Sequence, residues 1–340
     1  MTHPLVPIAN SSIATDNSLL QQSAESADQP RTWGVGIVGL GQQGLFQLER
    51  IKLCADVRVT AAFDPNPQRR NLAAGLECDF ADELSSVIES TATDAVFLTE
   101  ELIETTAAEV LRGGRHLVID RPWMLTHAEL LSIHRQAQSS QRIATYFCPW
   151  RWTADFLVAS TAIRSGRVGE LRTVLFSSFM KHLPGDPGNA GPLREFGFGL
   201  LDQMLTLVNS RPESVFATFP FHGQQVHERG FTALIRFENG CLSQLSLESD
   251  SRLGYRTGWM LEGIQGSYRG ERLYTETPDG EIVDEPIQRP NFVPDPFLTE
   301  LISVWHGKPT TLPSLADAAR IVTLINAIER SAETGHVVRL

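Results

Sequence analysis

The stretch from Trp33 to Gly44 constrains the fold more than any other part of this chain. It reads WGVGIVGLGQQG, an apolar run rich in β-branched residues that leads into the spacing G-x-G-x-x-G. Leu45 to Leu53 then continue with apolar side chains at helical spacing. A strand, a glycine turn and a helix in this order place free backbone amides where a phosphate can bind. The stretch therefore predicts a dinucleotide site.

Each glycine of the motif has a distinct geometric task. Gly39 permits a tight turn, Gly41 lets a pyrophosphate approach the backbone, and Gly44 lets the helix pack on the strand. Gln42 and Gln43 lie in the first helical turn, where unpaired amides at the positive end of the helix dipole suit phosphates. The simpler alternative is a glycine turn that only joins a strand to a helix.

A carboxylate after the next predicted strand supports the dinucleotide. Val57–Phe63 read as that strand, and Asp64 follows it directly. An acid about twenty residues beyond the glycines can hydrogen-bond a ribose 2′-hydroxyl, which favours NAD. Arg69 and Arg70 are close enough in sequence to hold a 2′-phosphate, so NADP stays open. If the turn is purely structural, Asp64 is a helix cap.

The amino-acid composition restricts the class of protein to which this chain can belong. The chain has 340 residues, room for two domains, with 42% hydrophobic and 20% charged residues, which is ordinary for a globular protein. A net charge of −11 argues against non-specific binding to nucleic acid or to an anionic membrane, and fits a cytoplasmic protein. Four scattered cysteines without metal-finger spacing predict free thiols and no metal site.

The pattern of predicted strands and helices divides the chain into three parts. Residues 1–31 are polar and aperiodic, which predicts a flexible tail. Strands alternate with helices over 32–149, which predicts a Rossmann domain with a doubly wound parallel sheet. Longer strand-like runs over 150–340, with a hairpin turn at Asn239-Gly240, predict an α+β domain with a large, mostly antiparallel open sheet. Its last helix is expected to pack back on the first domain.

The order of these elements resembles the glucose-fructose oxidoreductase, inositol dehydrogenase and rhizopine catabolism family of NAD(P)-dependent oxidoreductases. The likeness covers roughly Trp33 to Leu340. It rests on the segments VGIVGLGQQG, FDPNPQR, DAVFLT, GGRHLVIDRP, VGELRTV and ADAARIVTLINAIERSAETG. The family has G-K-H-V-x-x-E-K-P where this chain has GGRHLVIDRP. The resemblance implies that Thr99, Asp120 and Arg121 lie near the nicotinamide half of the cofactor.

The two side chains that usually carry the family's chemistry are replaced here. The lysine of E-K-P is Arg121, and the histidine of D-x-G-x-H-x-x-D is Gly199, flanked by Glu195 and Asp202. Arginine stays charged, so Arg121 can orient a substrate or stabilise a developing alkoxide but shuttles protons poorly. The resemblance implies a reacting centre lined by Arg121 and Asp202. The alternative for Asp202 is a helix-face acid paired with a neighbouring cation.

Other residues are candidates for the missing acid/base. Lys181 and His182 end a predicted strand at a loop rich in Gly and Pro, which in this family lies near the substrate cleft. A solvated loop histidine is the alternative for His182. Tyr146 reads as a tyrosine at the edge of the core. Trp150 and Trp152 read as packing at the domain junction in preference to a substrate platform.

Two functional hypotheses follow. The first is an oxidoreductase that uses NAD or NADP to transfer hydride to or from a small polyol, sugar derivative or other carbonyl compound. The second is a non-catalytic dinucleotide-binding sensor or regulatory protein that has lost the usual lysine and histidine. A scaffold with an unused nucleotide groove fits less well, because the glycines and Asp64 are all present. The resemblance also implies a homo-oligomer, a dimer or tetramer, and no nucleic-acid or membrane partner is expected.

Overall fold

The computed structural model of the chain describes residues 31–72, 78–99, 103–181, 190–219, 229–249, 251–252 and 254–340. The predicted tail, apart from Arg31, and the candidate His182 lie outside the described residues. None of the helices within these ranges is long and apolar enough to cross a membrane.

The first domain contains the predicted doubly wound sheet. Its six strands are β1 Trp33–Val38, β2 Val57–Phe63, β3 Asp79–Phe80, β4 Ala95–Leu98, β5 His116–Ile119 and β6 Ala144–Tyr146. All neighbours pair in parallel, in the order β3-β2-β1-β4-β5-β6. The chain reverses its direction across the sheet between β1 and β4. The carboxyl ends of these two strands therefore open the crevice in which such folds bind ligands.

Helices cover both faces of this sheet. They are α1 Gln42–Lys52, α2 Pro67–Leu72, α3 Leu84–Glu89, α4 Ile103–Arg112 and α5 His127–Ser139. The N-cap residue of α3 is Glu83, whose side chain makes no capping hydrogen bond. The start of α5 is a capping box in which Thr126 accepts from the Glu129 amide and Glu129 accepts from the Thr126 amide. Such a cap stabilises a helix by about 1 kcal/mol.

The second domain is a nine-stranded open sheet, and it is mostly antiparallel as predicted. Its strands are β7 Leu171–Phe179, β8 Pro212–Thr218, β9 Gly230–Phe237, β10 Leu242–Glu248, β11 Tyr255–Gly263, β12 Gly266–Arg269, β13 Arg272–Glu276, β14 Ile282–Pro286 and β15 Val338–Arg339. Their order is β14-β13-β12-β11-β7-β10-β9-β8-β15, and only β7 and β10 pair in parallel. The predicted hairpin at Asn239-Gly240 is confirmed, with Gly240 at φ +84° between β9 and β10.

Four strands of this sheet are absent from the sequence prediction. β12, β13, β14 and β15 are short, and every residue of β14 is exposed. The turn between β12 and β13 is Gly270-Glu271, with both residues at positive φ. That conformation belongs to a two-residue hairpin turn whose second position is usually glycine. Because glutamate replaces glycine at that position, the sequence did not indicate a turn there. The exposed strands also lack the alternation of apolar and polar residues that marks a half-buried strand.

The helices of the second domain are α6 Ala154–Arg164, α7 Phe198–Val208, α8 Pro296–Trp305 and α9 Leu315–Thr334. A π-helical turn, Leu193–Gly197, leads into α7. Both closing helices contact the first domain. Phe297 and Leu301 of α8 belong to the same apolar cluster as Val35 of β1. The segment before α9 is bonded to β6, because the Thr145 hydroxyl donates to the Pro313 carbonyl at 2.7 Å.

Candidate active site

The glycine turn has the geometry that its sequence predicts. Gly39 adopts φ +98°, a left-handed conformation that favours glycine, and its amide donates to the Phe63 carbonyl at 2.9 Å. A Cβ atom on Gly44 would lie 1.9 Å from the Gly39 carbonyl oxygen. Only glycine therefore lets α1 approach the turn so closely. The Thr99 hydroxyl completes the turn by donating to the Gly39 carbonyl at 2.9 Å.

The start of α1 is open to an incoming anion. Gly41 is the N-cap residue, it has an extended backbone and no side-chain cap, and the first turn contains no acid. The first amides of the helix thus keep their donors and the positive end of the helix dipole. A cavity of about 240 Å³ opens beside them. It is lined by Gly41, Gln42, Gln43, Arg69, Thr99, Arg121 and Met124. These residues fit the pyrophosphate of a dinucleotide.

Asp64, the predicted ribose ligand, lies directly after β2 and is bonded to the glycine turn. Its carboxylate is fully buried, with Oδ2 accepting from the Leu40 amide and Oδ1 from the Asn66 amide, both at 2.7 Å. Arg69 Nη1 lies 3.5 Å from Oδ2 and is two-fifths exposed. Asp64 therefore stabilises the glycine turn in this state, and Arg69 is the member of the pair that lines the cavity.

Asp120 directly follows β5, and its side chain is hydrogen-bonded to α1. It is almost fully buried, and its Oδ1 accepts from Gln47 Nε2 at 2.9 Å. Burial raises the pKa of this carboxyl to about 6, against the opposing effects of the Gln47 hydrogen bond and of the Arg121 and Arg50 charges. Asp120 thus carries a proton more readily than an ordinary aspartate does.

Arg121 connects the two domains. It follows β5 and precedes a 3-10 turn, Pro122–Met124, and its Nη1 lies 3.4 Å from Glu195 Oε1 in the π-helical turn before α7. Its side chain is about one-third exposed and lines the cavity. Among the described residues, Nε of Arg121 has no hydrogen-bond partner. Nε itself is buried, so only the exposed third of the side chain, which Glu195 holds in place, can receive an oxygen of a ligand.

Gly199 carries no side chain, and another residue fills the space next to it. A Cβ atom built on Gly199 would lie 2.1 Å from Cδ1 and 2.6 Å from Nε1 of Trp150. The Trp150 ring thus lies where a side chain at position 199 would project. Trp150 belongs to a 3-10 turn, Pro149–Trp152, between β6 and α6. This contact joins positions 49 residues apart in the chain, so no local pattern in the sequence indicated it.

Asp202 belongs to a buried network, separate from Arg121. Arg151 donates to both carboxylate oxygens at 2.7 Å, and the Tyr146 hydroxyl donates to Oδ1 at 2.6 Å. The Cys148 thiol completes the network at 3.4 Å from Oδ2. Burial, reinforced by the Asp202 charge, raises the pKa of Tyr146 well above its ordinary value. Tyr146 therefore stays protonated and is not an acid/base at neutral pH.

The structure does not bring Asp202 and Arg121 into one reacting centre. Asp202 lines a different cavity, beside the second half of α7 and the first half of α9. The predicted alternative, an acid paired with a neighbouring cation, describes its contacts, and Arg151 is that cation. Asp202 is buried on α7, and both of its carboxylate oxygens accept from Arg151 of the turn Pro149–Trp152. Asp202 thus positions the turn that carries Trp150.

Lys181 is exposed just beyond the end of β7, and it is not among the residues that line the cavity next to Arg121. All four cysteines are free thiols. Within the described parts of the chain, no group of three or more His, Cys, Asp or Glu side chains is arranged to hold a metal ion.

The fold and the glycine turn define a two-domain protein whose first domain has the Rossmann arrangement of dinucleotide-binding proteins. Residues 33–147 match the family model for the oxidoreductase family with an NAD-binding Rossmann fold, and residues 156–269 match the GFO/IDH/MocA C-terminal domain. The chain belongs to this family, the glucose-fructose oxidoreductase, inositol dehydrogenase and rhizopine catabolism family of NAD-binding oxidoreductases. This confirms the resemblance inferred from the sequence.

Three uncharacterized oxidoreductases are similar to this chain over only part of their length. An uncharacterized oxidoreductase of Schizosaccharomyces pombe is 32% identical over 120 residues, which is 32% of this chain and 32% of the relative. The chain thus matches about a third of that relative's length.

Solved structures resemble the whole fold. A structure of an NAD-binding protein from Listeria innocua has a TM-score of 0.78 at 22% identity, covering 91% of this chain and 97% of that one. The aldose-aldose oxidoreductase from Caulobacter crescentus, complexed with glycerol, has a TM-score of 0.72 at 19% identity, covering 91% and 100%. At such identities the likeness shows the fold alone.

Proposed function

We propose that this protein is an NAD(P)-dependent oxidoreductase that transfers hydride to or from a small carbonyl or hydroxyl compound at an atypical centre. The observation that carries the proposal is one cavity with two features. It opens at the uncapped start of α1, and it is also lined by Arg121. An anion-binding helix terminus and a fixed cation therefore face the same space, as binding of an anionic cofactor beside a polar substrate requires.

Named residues account for the binding of the cofactor. The amides at the start of α1, at Gln42 and Gln43, would hold the pyrophosphate, and Arg69 with Asp64 would face the adenosine ribose. When bound, the dinucleotide supplies the hydride, which the protein itself cannot provide. NAD and NADP both fit these residues, since Arg69 offers a cation for a 2′-phosphate next to the carboxylate that would accept a 2′-hydroxyl.

Arg121 would act on the oxygen of the substrate. Its guanidinium keeps its charge at neutral pH, and Glu195 fixes its position from the second domain. Such a preorganised cation stabilises the negative charge that develops on a carbonyl oxygen as hydride arrives. The proton of the hydroxyl group then comes from another donor, and Lys181 and His182 remain predictions for that role.

Dinucleotide binding and turnover can be tested separately. We expect the full chain to bind NADH or NADPH in calorimetry and to lose this binding in Gly41→Val, where a side chain would block the approach of the pyrophosphate. With a panel of aldehydes, ketones and sugars, we expect a loss of nicotinamide absorbance that Arg121→Ala reduces at least a hundredfold, within the range measured for a single electrostatic donor.

Lys308→Ala, in the exposed loop after α8, is the control and should change neither property. Binding without turnover across the whole panel would favour the non-catalytic sensor. Failure to bind either dinucleotide would contradict the proposed function.

A further inference from the structure

Asp120 is flanked on three elements by residues that line the cavity at the start of α1. Its backbone amide donates to the last carbonyl of β4 at 2.9 Å, so Asp120 lies beside Thr99 at the carboxyl ends of β4 and β5. Arg121 follows Asp120 in the chain. Gln47, which bonds its side chain, lies one helical turn after Gln43 on α1. Thr99, Arg121 and Gln43 all line the cavity. The Asp120 carboxyl is therefore close enough to respond to a charge bound there.

The Asp120 carboxyl is buried with little hydrogen bonding. Only 5% of the residue is exposed, its Oδ1 accepts from Gln47 Nε2 at 2.9 Å, and its Oδ2 makes no hydrogen bond within the described parts of the chain. Asp64, which is fully buried, accepts from two backbone amides instead. Gln47 Oε1 is also buried and has no partner among the described residues. Turned over, the Gln47 amide accepts from a protonated carboxyl, so this side chain can bond either protonation state.

The groups around Asp120 act on its proton in opposite directions. Burial raises its pKa to about 6, whereas the Gln47 hydrogen bond and the positive charges of Arg121 and Arg50 lower the pKa. Arg50 acts from α1, and the negative charge of Glu195, in the π-helical turn before α7, raises the pKa. At pH 7 the carboxyl is therefore mostly ionised, and its ionised state depends in part on the charge of Arg121.

Binding of a reduced dinucleotide would change this balance in one direction. NADH and NADPH carry an uncharged reduced ring and a negative pyrophosphate, so they add negative charge to the cavity. An oxygen of the ligand at Arg121 would offset the cation that stabilises the ionised carboxyl, and the bound ligand would replace water in the cavity. Each of these changes disfavours a carboxylate at Asp120 and favours its protonated form.

We propose that Asp120 takes up a proton when a reduced dinucleotide binds, so that cofactor binding and protonation of this carboxyl are coupled. This inference rests on the proposed function and deepens it, because it specifies how the cofactor site responds to pH. The coupling is reciprocal, so the dinucleotide should bind more tightly as pH falls through the range in which Asp120 titrates. The bound state would then hold a neutral acid next to Arg121, whose charge remains available to the substrate.

Calorimetry counts the protons directly. The enthalpy of NADH binding to the full chain is measured at about pH 6.5 in MES and in imidazole, whose different ionisation enthalpies give the number of protons taken up. A carboxyl whose pKa moves from about 6 to about 7 takes up about 0.5 proton at this pH. We expect Asp120→Asn, which keeps an acceptor for Gln47, to lose this uptake. Glu49→Gln removes an exposed acid of the same helix, α1, and should retain it.

The affinity gives an independent measurement. NADH has no group that titrates between about pH 6 and pH 8, so the pH dependence of its Kd belongs to the protein. We expect this Kd to rise about fivefold from pH 6 to pH 8 in the parent chain and to stay nearly constant in Asp120→Asn. A flat Kd in the parent chain, or equal proton uptake by the parent chain and Asp120→Asn, overturns the proposal. In both cases the dinucleotide still binds and the proposed function survives, whereas no binding of NADH or NADPH contradicts the proposed function itself.

Discussion

At the scale of single residues, Arg69 and Asp64 form an ion pair of which only Arg69 lines the cavity. The Asp64 carboxylate is fully buried and accepts from two backbone amides, whereas the Arg69 side chain is two-fifths exposed. We propose that a ribose bound in the cavity meets Arg69 first and that the preference between NAD and NADP depends on this residue.

We therefore expect Arg69→Ala to weaken NADPH more than NADH. A hydrogen bond to a charged group is worth about 1.5–3 kcal/mol, so NADPH affinity should fall about tenfold or more while NADH affinity changes little. Fluorescence titration with both dinucleotides measures the ratio. Arg58→Ala, at an exposed position of β2, removes the same charge away from the cavity and serves as control. Equal losses for both dinucleotides would assign Arg69 to the support of Asp64 alone.

The buried Asp120 makes stability depend on pH. Burial raises its pKa from 3.8 to about 6, so the folded chain holds a proton between about pH 4 and 6 that the unfolded chain has released. Stability conferred by this group therefore falls as pH rises through that window.

Asp120→Asn removes the titration and keeps an acceptor for Gln47. We expect its free energy of unfolding, relative to the parent chain, to increase by up to about 3 kcal/mol between pH 4 and 7. Urea unfolding of both proteins across this pH range measures the difference. A difference that stays flat with pH would show that Asp120 does not keep its proton in the folded state.

At the scale of elements, α7 packs closely against the 3-10 turn Pro149–Trp152 at Gly199, where α7 has no side chain. A Cβ atom on Gly199 and the Trp150 ring cannot occupy the same space, because the separation would be 2.1 Å. Restoring the histidine of the family at position 199 therefore requires the tryptophan to be removed.

A double-mutant cycle tests this contact. We expect Gly199→His alone to destabilise the chain by about 1–3 kcal/mol through overpacking, and Trp150→Ala to relieve most of that cost when the two are combined. Chemical denaturation of the parent chain, both single variants and the double variant gives the coupling energy. Additive changes in the free energy of unfolding would mean that the Trp150 ring moves aside at no cost. In that case the Trp150 ring would not be the reason for a glycine at position 199.

At the scale of the whole molecule, one face of the second sheet carries apolar side chains that the described parts of the chain leave partly exposed. Phe216, Leu234, Leu175 and Met260 are aligned across neighbouring strands of this face, with the polar Gln244 among them. Phe216 and Leu234 are both more than one-third exposed. A broad apolar face of this kind is typical of an interface between subunits.

We expect the protein to be a homo-oligomer through this face, and Leu234→Lys to shift it towards the monomer at micromolar concentration. Light scattering coupled to size-exclusion chromatography measures the mass. Leu53→Lys, at a highly exposed position after α1, should leave the mass unchanged. A parent chain that elutes as a monomer would contradict the prediction.

Local patterns were enough for the parts of the fold where neighbouring residues decide the conformation. β1 and β2 follow from runs of apolar and β-branched residues, and the hairpin at Asn239-Gly240 follows from its turn residues. The strands from β12 to β15 were missed because exposed edge strands have no buried face to impose a pattern.

The sequence by itself determined that the chain contains a nucleotide-binding glycine turn, a parallel sheet and a family resemblance, because these depend on residues within a few positions of one another. Only the tertiary structure decided that Arg121 pairs with Glu195, that Asp202 is locked to Arg151, and that Trp150 fills the space beside Gly199. Each of these contacts joins segments roughly fifty or more residues apart. Their formation depends on how whole helices and sheets pack, and no short spacing in the sequence encodes it.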